Sequence, residues 1–474
     1  MSGHGPSRPA RKSTRPYRRP APDPARRAAF DTLTAVSSRD AYANLVLPGL
    51  LRERGITGRD AAFATELTYG TLRHQATLDA VLAACSSRPL ADIDPRVLDL
   101  LRLGAYQLLR MRVPAHAAVS ATVEVARVAV SDGPARFVNA VLRRVAEKDE
   151  ETWLAEVAPD RTRDPVGHLA VRYAHPEWIV RAFADALGDR EGELAETAAA
   201  LAADDAPAST HLVARPGRID RDTLLAEAGG RPGPWSPYAV HLAGGDPADL
   251  EPVRDQRAAV QDEGSQLTAL ALAGAPLAGR DARWLDLCAG PGGKAGLLGA
   301  LAAERGARVD AVEQSEHRAE LVRRTVADLP VTVHHLDGRD VGTEPALPEG
   351  AFDRVLVDAP CTGLGALRRR PESRWRRQPS DVASLTKLQR ELLAAALRAV
   401  RPGGVVAYVV CSPHLAETKV QVADAVRRSG AELLDVRPVL PAGMPELGPG
   451  PSVQLWPHRH GTDAMFVALL RRPV

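Results

Sequence analysis

From about Arg26 to Arg144 apolar residues recur three and four positions apart, the period of amphipathic helices, in a stretch dominated by Ala, Leu and Arg. Asp94-Pro95 reads as an N-cap followed by proline in the first turn, and the helix it opens sets Val97, Leu98, Leu101, Ala105, Leu108 and Leu109 along one side. An all-α bundle over residues 23–147 is therefore predicted, and its pattern states only that it has a core. In residues 148–165 acids and prolines interrupt the period and predict a linker. Residues 166–259 begin with an aromatic helix around Tyr173, Pro176 and Trp178, then pass through Pro- and Gly-rich turns with short strand-like pieces such as His211–Ala214. This region reads as a small α+β domain on the substrate side.

Residues 260–474 change character. Strand-like runs at Ala282–Leu287, Val309–Val312, Val331–Leu336, Phe352–Val357, Val405–Val410 and Phe466–Leu470 are separated by helical runs, among them Ala295–Ala303 and Asp381–Val400. Strands alternating with helices predict a Rossmann-like α/β domain, a parallel doubly wound sheet that binds its ligand at the carboxyl ends of the strands. The chain is thus expected to be multidomain: helical bundle, small α+β domain, α/β domain. Its 474 residues suit about three domains.

A formal charge of +2 does not by itself announce a nucleic-acid partner, so that case rests on local clusters. Residues 1–22 carry Arg8, Arg11, Lys12, Arg15, Arg18 and Arg19 and predict a disordered basic tail. A second cluster places Arg368, Arg369, Arg370, Arg374, Arg376 and Arg377 around Trp375, just after Cys361, and is expected to contact RNA phosphates and bases. No run of eighteen apolar residues crosses a bilayer and no signal-peptide core follows the basic start, so a cytoplasmic protein is expected. Four scattered cysteines make no disulfide framework, no C-x-x-C pair suggests a metal site, and reduced thiols leave nucleophilic chemistry open.

The strongest local signal follows the first strand of the α/β domain. Cys288-Ala289-Gly290-Pro291-Gly292-Gly293-Lys294 is a turn whose glycines admit a ligand close to the backbone, at the start of a helix. Glu313, at the end of the second strand, is placed to take both hydroxyls of a ribose, and Asp337, after the third, to accept from an adenine amino group. Gly290, Gly292 and Ala295 also fit the dinucleotide fingerprint, so the loop alone does not separate a nicotinamide enzyme from an S-adenosylmethionine enzyme. Two further strand ends carry Asp358-Ala-Pro-Cys361 and Cys411-Ser412, which puts two thiols and an acid on the same rim.

Three segments of the bundle, Glu66 to Arg73, Leu103 to Leu108 and Val138 to Arg144, resemble the RNA-binding NusB-like domain. The Cys288 to Lys294 loop, the Asp358 to Cys361 turn, Cys411-Ser412 and Gln261 to Gln266 are similar to the motifs of S-adenosylmethionine-dependent RNA cytosine-C5 methyltransferases of the RsmB/NOP family. The resemblance implies a class I methyltransferase domain that forms 5-methylcytosine in 16S rRNA, acting as a monomer with no metal and no membrane partner. It implies Cys411 as the nucleophile that adds to cytosine carbon 6, Cys361 as the residue of product release, and Asp358 beside the base. It also implies that residues 288 to 294, Glu313, Asp337 and Asp358 hold the cofactor. Lys294 is open to several roles: orienting Asp358, Cys361 or the cofactor carboxylate. Val410 stands where the family usually has Thr, and Pro413 to Thr418 only loosely resembles the family's acidic segment, which bears on how the nucleophile is positioned. The competing readings are a dinucleotide oxidoreductase and a catalytically silent RNA-binding scaffold.

Overall fold

Asp94 caps the helix Pro95–Arg110 by accepting from the amides of Arg96 (2.9 Å) and Val97 (3.4 Å), as its place before a proline predicts. The computed structural model describes residues 22–189 and 194–474, so residues 1–21 of the expected tail lie outside the described residues. Around Pro95–Arg110 pack the helices Pro24–Arg39, Ala43–Glu53, Gly58–Arg73, Gln75–Cys85, Ala115–Ala129 and Asp132–Val145. Phe30, Leu67, Leu82, Leu100, Leu101, Val138 and Leu142 fill their shared core. Two glycines set the spacing. A Cβ on Gly70 would stand 2.0 Å from the Tyr106 ring, and one on Gly104 would stand 2.4 Å from Leu142. The bundle closes at these points only because neither residue has a side chain.

The stretch read as a linker contains the helix Glu150–Val157, and the expectation is corrected. Trp153 packs into the bundle core and donates its indole N–H to the Val145 carbonyl at 2.9 Å. The acids that break the apolar period, Asp149, Glu150 and Glu151, sit at the helix start, where a cap and a favourable macrodipole make them stabilising. Three more helices follow: Pro165–Arg172, Glu177–Leu187 and Ala195–Asp205.

The small sheet comprises β1 (His211–Ala214), β2 (Arg231–Pro232), β3 (Ala239–His241) and β4 (Ala258–Val260), antiparallel in the order β2-β3-β1-β4. The large sheet begins with β5 (Arg283–Asp286), β6 (Arg308–Glu313) and β7 (Val331–His335). A hairpin of β8 (Thr343–Glu344) and β9 (Leu347–Pro348) leads to β10 (Phe352–Asp358) and β11 (Val400–Val410). β12 (Glu432–Leu434), β13 (Val453–Gln454) and β14 (Phe466–Arg471) complete it, in the order β12-β14-β11-β10-β5-β6-β7 with β13 paired to β14.

From β7 to β11 the strands run parallel, whereas β14 is antiparallel to β11, so the sheet is mixed where the alternating pattern predicted a parallel one. β12 and β13, too short to register as strands in the hydropathy pattern, extend this antiparallel edge. Both faces are covered. Trp284, Leu356 and Val409 pack beneath the helices Glu263–Gly274 and Gly293–Glu304, while Val355, Val357 and Tyr408 pack beneath Asp381–Ala399. The chain steps outward from β5 to β7 and then returns to lay β10 on the other side of β5. That reversal is the switch point at which open α/β sheets bind ligands.

Candidate active site at the strand ends

The parallel register of β10 and β11 sets Asp358 opposite Val409, so cysteines fifty residues apart in the chain leave adjacent strand ends. Their sulfurs stand 3.5 Å apart. The shared hydrogen bond with Cys361 lowers the Cys411 pKa, with Lys294 adding to it against the opposing effect of burial. The same bond, followed by burial, holds Cys361 well above the usual thiol range. The two thiols share one hydrogen bond, and the Lys294 charge favours Cys411 as the sulfur that becomes thiolate.

Lys294 bonds Asp358 at 2.8 Å, which answers which of its possible partners it meets in this structure. Burial works against the ammonium charge, but Asp358 and then Cys411 outweigh it and raise the Lys294 pKa. Cys288 lies within the glycine loop, its thiol pushed well up by burial and by the surrounding carboxylates, in keeping with a structural rather than a nucleophilic residue.

The Gly290 amide donates to Glu313 Oε2 at 3.1 Å, and the Ser315 amide to Glu313 Oε1 at 2.9 Å. A Cβ on Gly290 would lie 2.0 Å from Glu313 Oε2, so only glycine lets the loop ride over this carboxylate. Gly292 takes φ +113°, the left-handed region, to turn the chain into the helix Gly293–Glu304. Below the loop, Asp286 is fully buried; its Oδ1 accepts from the Cys288 amide at 3.4 Å and its Oδ2 has no partner among the described residues. Burial, with Asp358 adding to it, pushes the Asp286 pKa up to about 7. Asp337 accepts from Gln314 at 3.2 Å and is paired with Arg339.

The arginine run does not form the expected RNA surface. Arg374 is fully buried and donates to the Arg73 and Ala174 carbonyls, to Asp205 and to the Asp204 carbonyl. Arg368 and Arg369 both bind Asp262 and Asp463, and Arg376 donates to the Val36 and Ala41 carbonyls. The expectation is corrected for these four residues. A cluster of like charges needs water or counterions, and here distant carboxylates and carbonyls supply the counterions. Arg370 is exposed above the Tyr42 ring and Arg377 is half-buried.

Several residues that shape this site escaped the sequence reading. Asp262 caps the helix Glu263–Gly274 and also receives Arg368 and Arg369, a role that its neighbouring residues do not reveal. His211 and His241 stack at 3.7 Å between ring centroids. With Glu263, whose carboxylate accepts from the Trp235 and Ser236 amides and meets His241 at 2.8 Å, they join the small sheet to the catalytic domain. Glu417, buried and bonded to the residues that follow each cysteine, was noted only as part of a loosely matching segment.

Residues 275–471 match the model of the family described as 16S rRNA methyltransferase RsmB/F, and residues 23–147 match that of the NusB family. A Mycobacterium tuberculosis candidate methyltransferase, Rv1407, is 60% identical over 97% of this chain and 99% of its own length. Ribosomal RNA small subunit methyltransferase B of Pseudomonas putida is 35% identical over 87% of this chain and 91% of its own. The crystal structure of PH0851 shares the fold, with a TM-score of 0.78 at 20% identity over 95% of this chain and 99% of that one. These matches decide between the two readings of the glycine loop in favour of S-adenosylmethionine. The chain belongs to the RsmB/F family of S-adenosylmethionine-dependent RNA methyltransferases, here joined to an N-terminal NusB-family domain.

Proposed function

We propose that this protein forms 5-methylcytosine in 16S rRNA, with Cys411 as covalent nucleophile and Cys361 acting in product release. The observation that carries the reading is the pair of sulfurs 3.5 Å apart at adjacent strand ends, with Lys294 helping to lower the pKa of Cys411. Carbon 5 of cytosine is a weak nucleophile. Addition of the Cys411 thiolate to carbon 6 forms a C–S bond and moves an electron pair toward carbon 5. Asp358, fixed by Lys294, is positioned to hydrogen-bond the ring nitrogen or exocyclic amine as charge develops there. Once the Cys411 lone pair is in the C–S bond, the hydrogen bond that chiefly held the Cys361 proton is gone and that proton can pass to solvent; the resulting Cys361 thiolate then takes the carbon-5 proton of the methylated adduct as the C–S bond breaks and its electron pair returns to Cys411. The target base must leave its stack to reach the sulfur. Arg370 and Arg377 are the members of the arginine run kept for contact with the RNA.

Three observations support a cofactor seat on this rim. The glycine loop lies close over the Glu313 carboxylate, which a Cβ at Gly290 would displace, Glu313 is held at the end of β6, and Asp286 has a buried oxygen without a partner among the described residues. These residues fit the adenosyl and amino-acid ends of S-adenosylmethionine, with Asp337 near the base. The cofactor supplies an electrophilic methyl group when bound. Gly290→Ala is expected to weaken S-adenosylmethionine binding about tenfold or more, because Glu313 or the loop must shift; a tenfold loss is about 1.4 kcal/mol. Calorimetric titration checks this, and an unchanged Kd would remove Gly290 from the seat.

The experiment for the reading as a whole is transfer of labelled methyl to unmodified small-subunit rRNA, followed by nucleoside analysis. Label on cytosine carbon 5 is the expected result. Label on another base or another RNA, with none on 16S cytosine, would overturn it.

A further inference from the structure

We infer that Glu417 is a positioning residue that holds the two cysteine loops at their working separation. This inference rests on the two-thiol reading above. Glu417 is fully buried, and its carboxylate receives donors from both loops at once. Oε1 accepts from the Thr362 amide at 2.8 Å and from Gln389 at 3.1 Å. Oε2 accepts from the Thr362 hydroxyl at 2.5 Å and from the Ser412 hydroxyl at 2.6 Å. Thr362 immediately follows Cys361, and Ser412 immediately follows Cys411.

The same carboxylate therefore fixes the chain one residue beyond each sulfur. Gln389, from the helix Asp381–Ala399, also donates to the Pro360 carbonyl at 2.9 Å, so the Cys361 turn is held from both sides. Tyr408 donates its hydroxyl to the Glu417 carbonyl at 2.7 Å and seats the clamp on β11. The loops themselves touch directly where the Gly365 amide donates to the Cys411 carbonyl at 2.9 Å.

Such an arrangement does two things for the chemistry. It keeps the S–H of Cys361 within reach of Cys411, a distance on which the thiolate depends. It also places a carboxylate beneath Cys361, where it is one of the causes that hold that thiol's proton. Displacement of a reacting group by about 1 Å can cost about a hundredfold in rate. The residue was visible in the sequence as an acid six positions after Cys411, but nothing local tied it to Thr362, fifty-five residues earlier.

Glu417→Gln keeps the size of the side chain but presents an amide N–H where a hydroxyl or backbone N–H must now be met. The expected result is a fall in kcat of about tenfold to a hundredfold with the KM for RNA changed less than about twofold. The rise of adduct formation with pH should move to higher pH, since the S–H of Cys361 is no longer held where it supports the Cys411 thiolate. A residue that merely supported the fold would lower the thermal midpoint without moving that rise. If Glu417→Gln does not fold, Thr362→Val and Ser412→Ala each remove one hydroxyl from the clamp, and Thr362→Ser, which returns the hydroxyl, should recover most of what Thr362→Val loses. Wild-type kcat and pH profile in Glu417→Gln, or in both hydroxyl variants, would overturn the clamp while leaving the two-thiol reading in place. Methyl transfer by the wild type that proves independent of Cys411 would overturn that reading, and the clamp's role with it.

Discussion

Cys411→Ala is expected to remove methyl transfer, by roughly a thousandfold or more, and Cys361→Ala to leave the protein covalently attached to its RNA. The two variants separate because the thiols share one hydrogen bond but shift in opposite directions, Cys411 down and Cys361 up. Without Cys411 no sulfur is available to add to carbon 6. Without Cys361 the adduct forms, since Lys294 still lowers the Cys411 pKa, but its resolution is impaired. Denaturing gels should show a slow band for Cys361→Ala and none for Cys411→Ala, while both variants bind S-adenosylmethionine. The absence of an adduct in Cys361→Ala, with transfer unimpaired, would refute this division of labour. The pH dependence follows in sign. The Cys411 pKa is lowered, so the rate of adduct formation should rise with pH and level off below the range of an ordinary thiol. Removing the lysine charge with Lys294→Met should move that rise to higher pH.

Arg374→Ala should produce the largest loss of stability, about 3–5 kcal/mol, because it strands buried carboxylates. Its guanidinium ties the helix Gly58–Arg73, the Ala174 turn and the end of the helix Ala195–Asp205 to the segment following Cys361. Burial already pushes Asp205 up to about 6 and Asp204 up to about 8, with Arg374 opposing both shifts. Loss of the arginine raises them further. Groups with raised folded pKa values cost no stability below their unfolded pKa and progressively more as pH rises through the folded value. The deficit of Arg374→Ala relative to wild type should therefore grow from about pH 6 upward, first through Asp205 and then through Asp204, and shrink in acid. Calorimetry across that range tests it, and a deficit independent of pH would show that Arg374 acts by packing alone. Arg374→Lys should recover little, because one ammonium cannot meet four acceptors spread over three chain segments.

Much of this molecule could be read from its residues. The bundle, the alternating strands and the side chains that stand at each strand end were all legible, because each depends on neighbours close in sequence. Asp94-Pro95 caps its own helix, the glycines of residues 290 to 293 turn their own chain, and Val405–Val410 is apolar wherever it is placed. The helix Glu150–Val157 was missed for a related reason: its acids count against an apolar period but favour a helix start, and Trp153 finds its partners in the bundle core.

What the local pattern determined, then, was which elements form and which chemical groups stand at their ends. Only the tertiary structure decided which of those groups meet. Six arginines beside a thiol describe an RNA surface or a set of internal struts equally well. Asp205, Asp262 and Asp463, all far from them in sequence, made three of them struts, and the Val36 and Ala41 carbonyls a fourth. Cys361 and Cys411 became a proton-sharing pair because parallel β10 and β11 end side by side, and Glu417 reached both loops for the same reason. The physical cause is the same throughout. A turn, a cap or an apolar period is a property of adjacent residues, whereas the ionisation and use of a buried charge are set by partners that only the folded chain brings within a few ångströms.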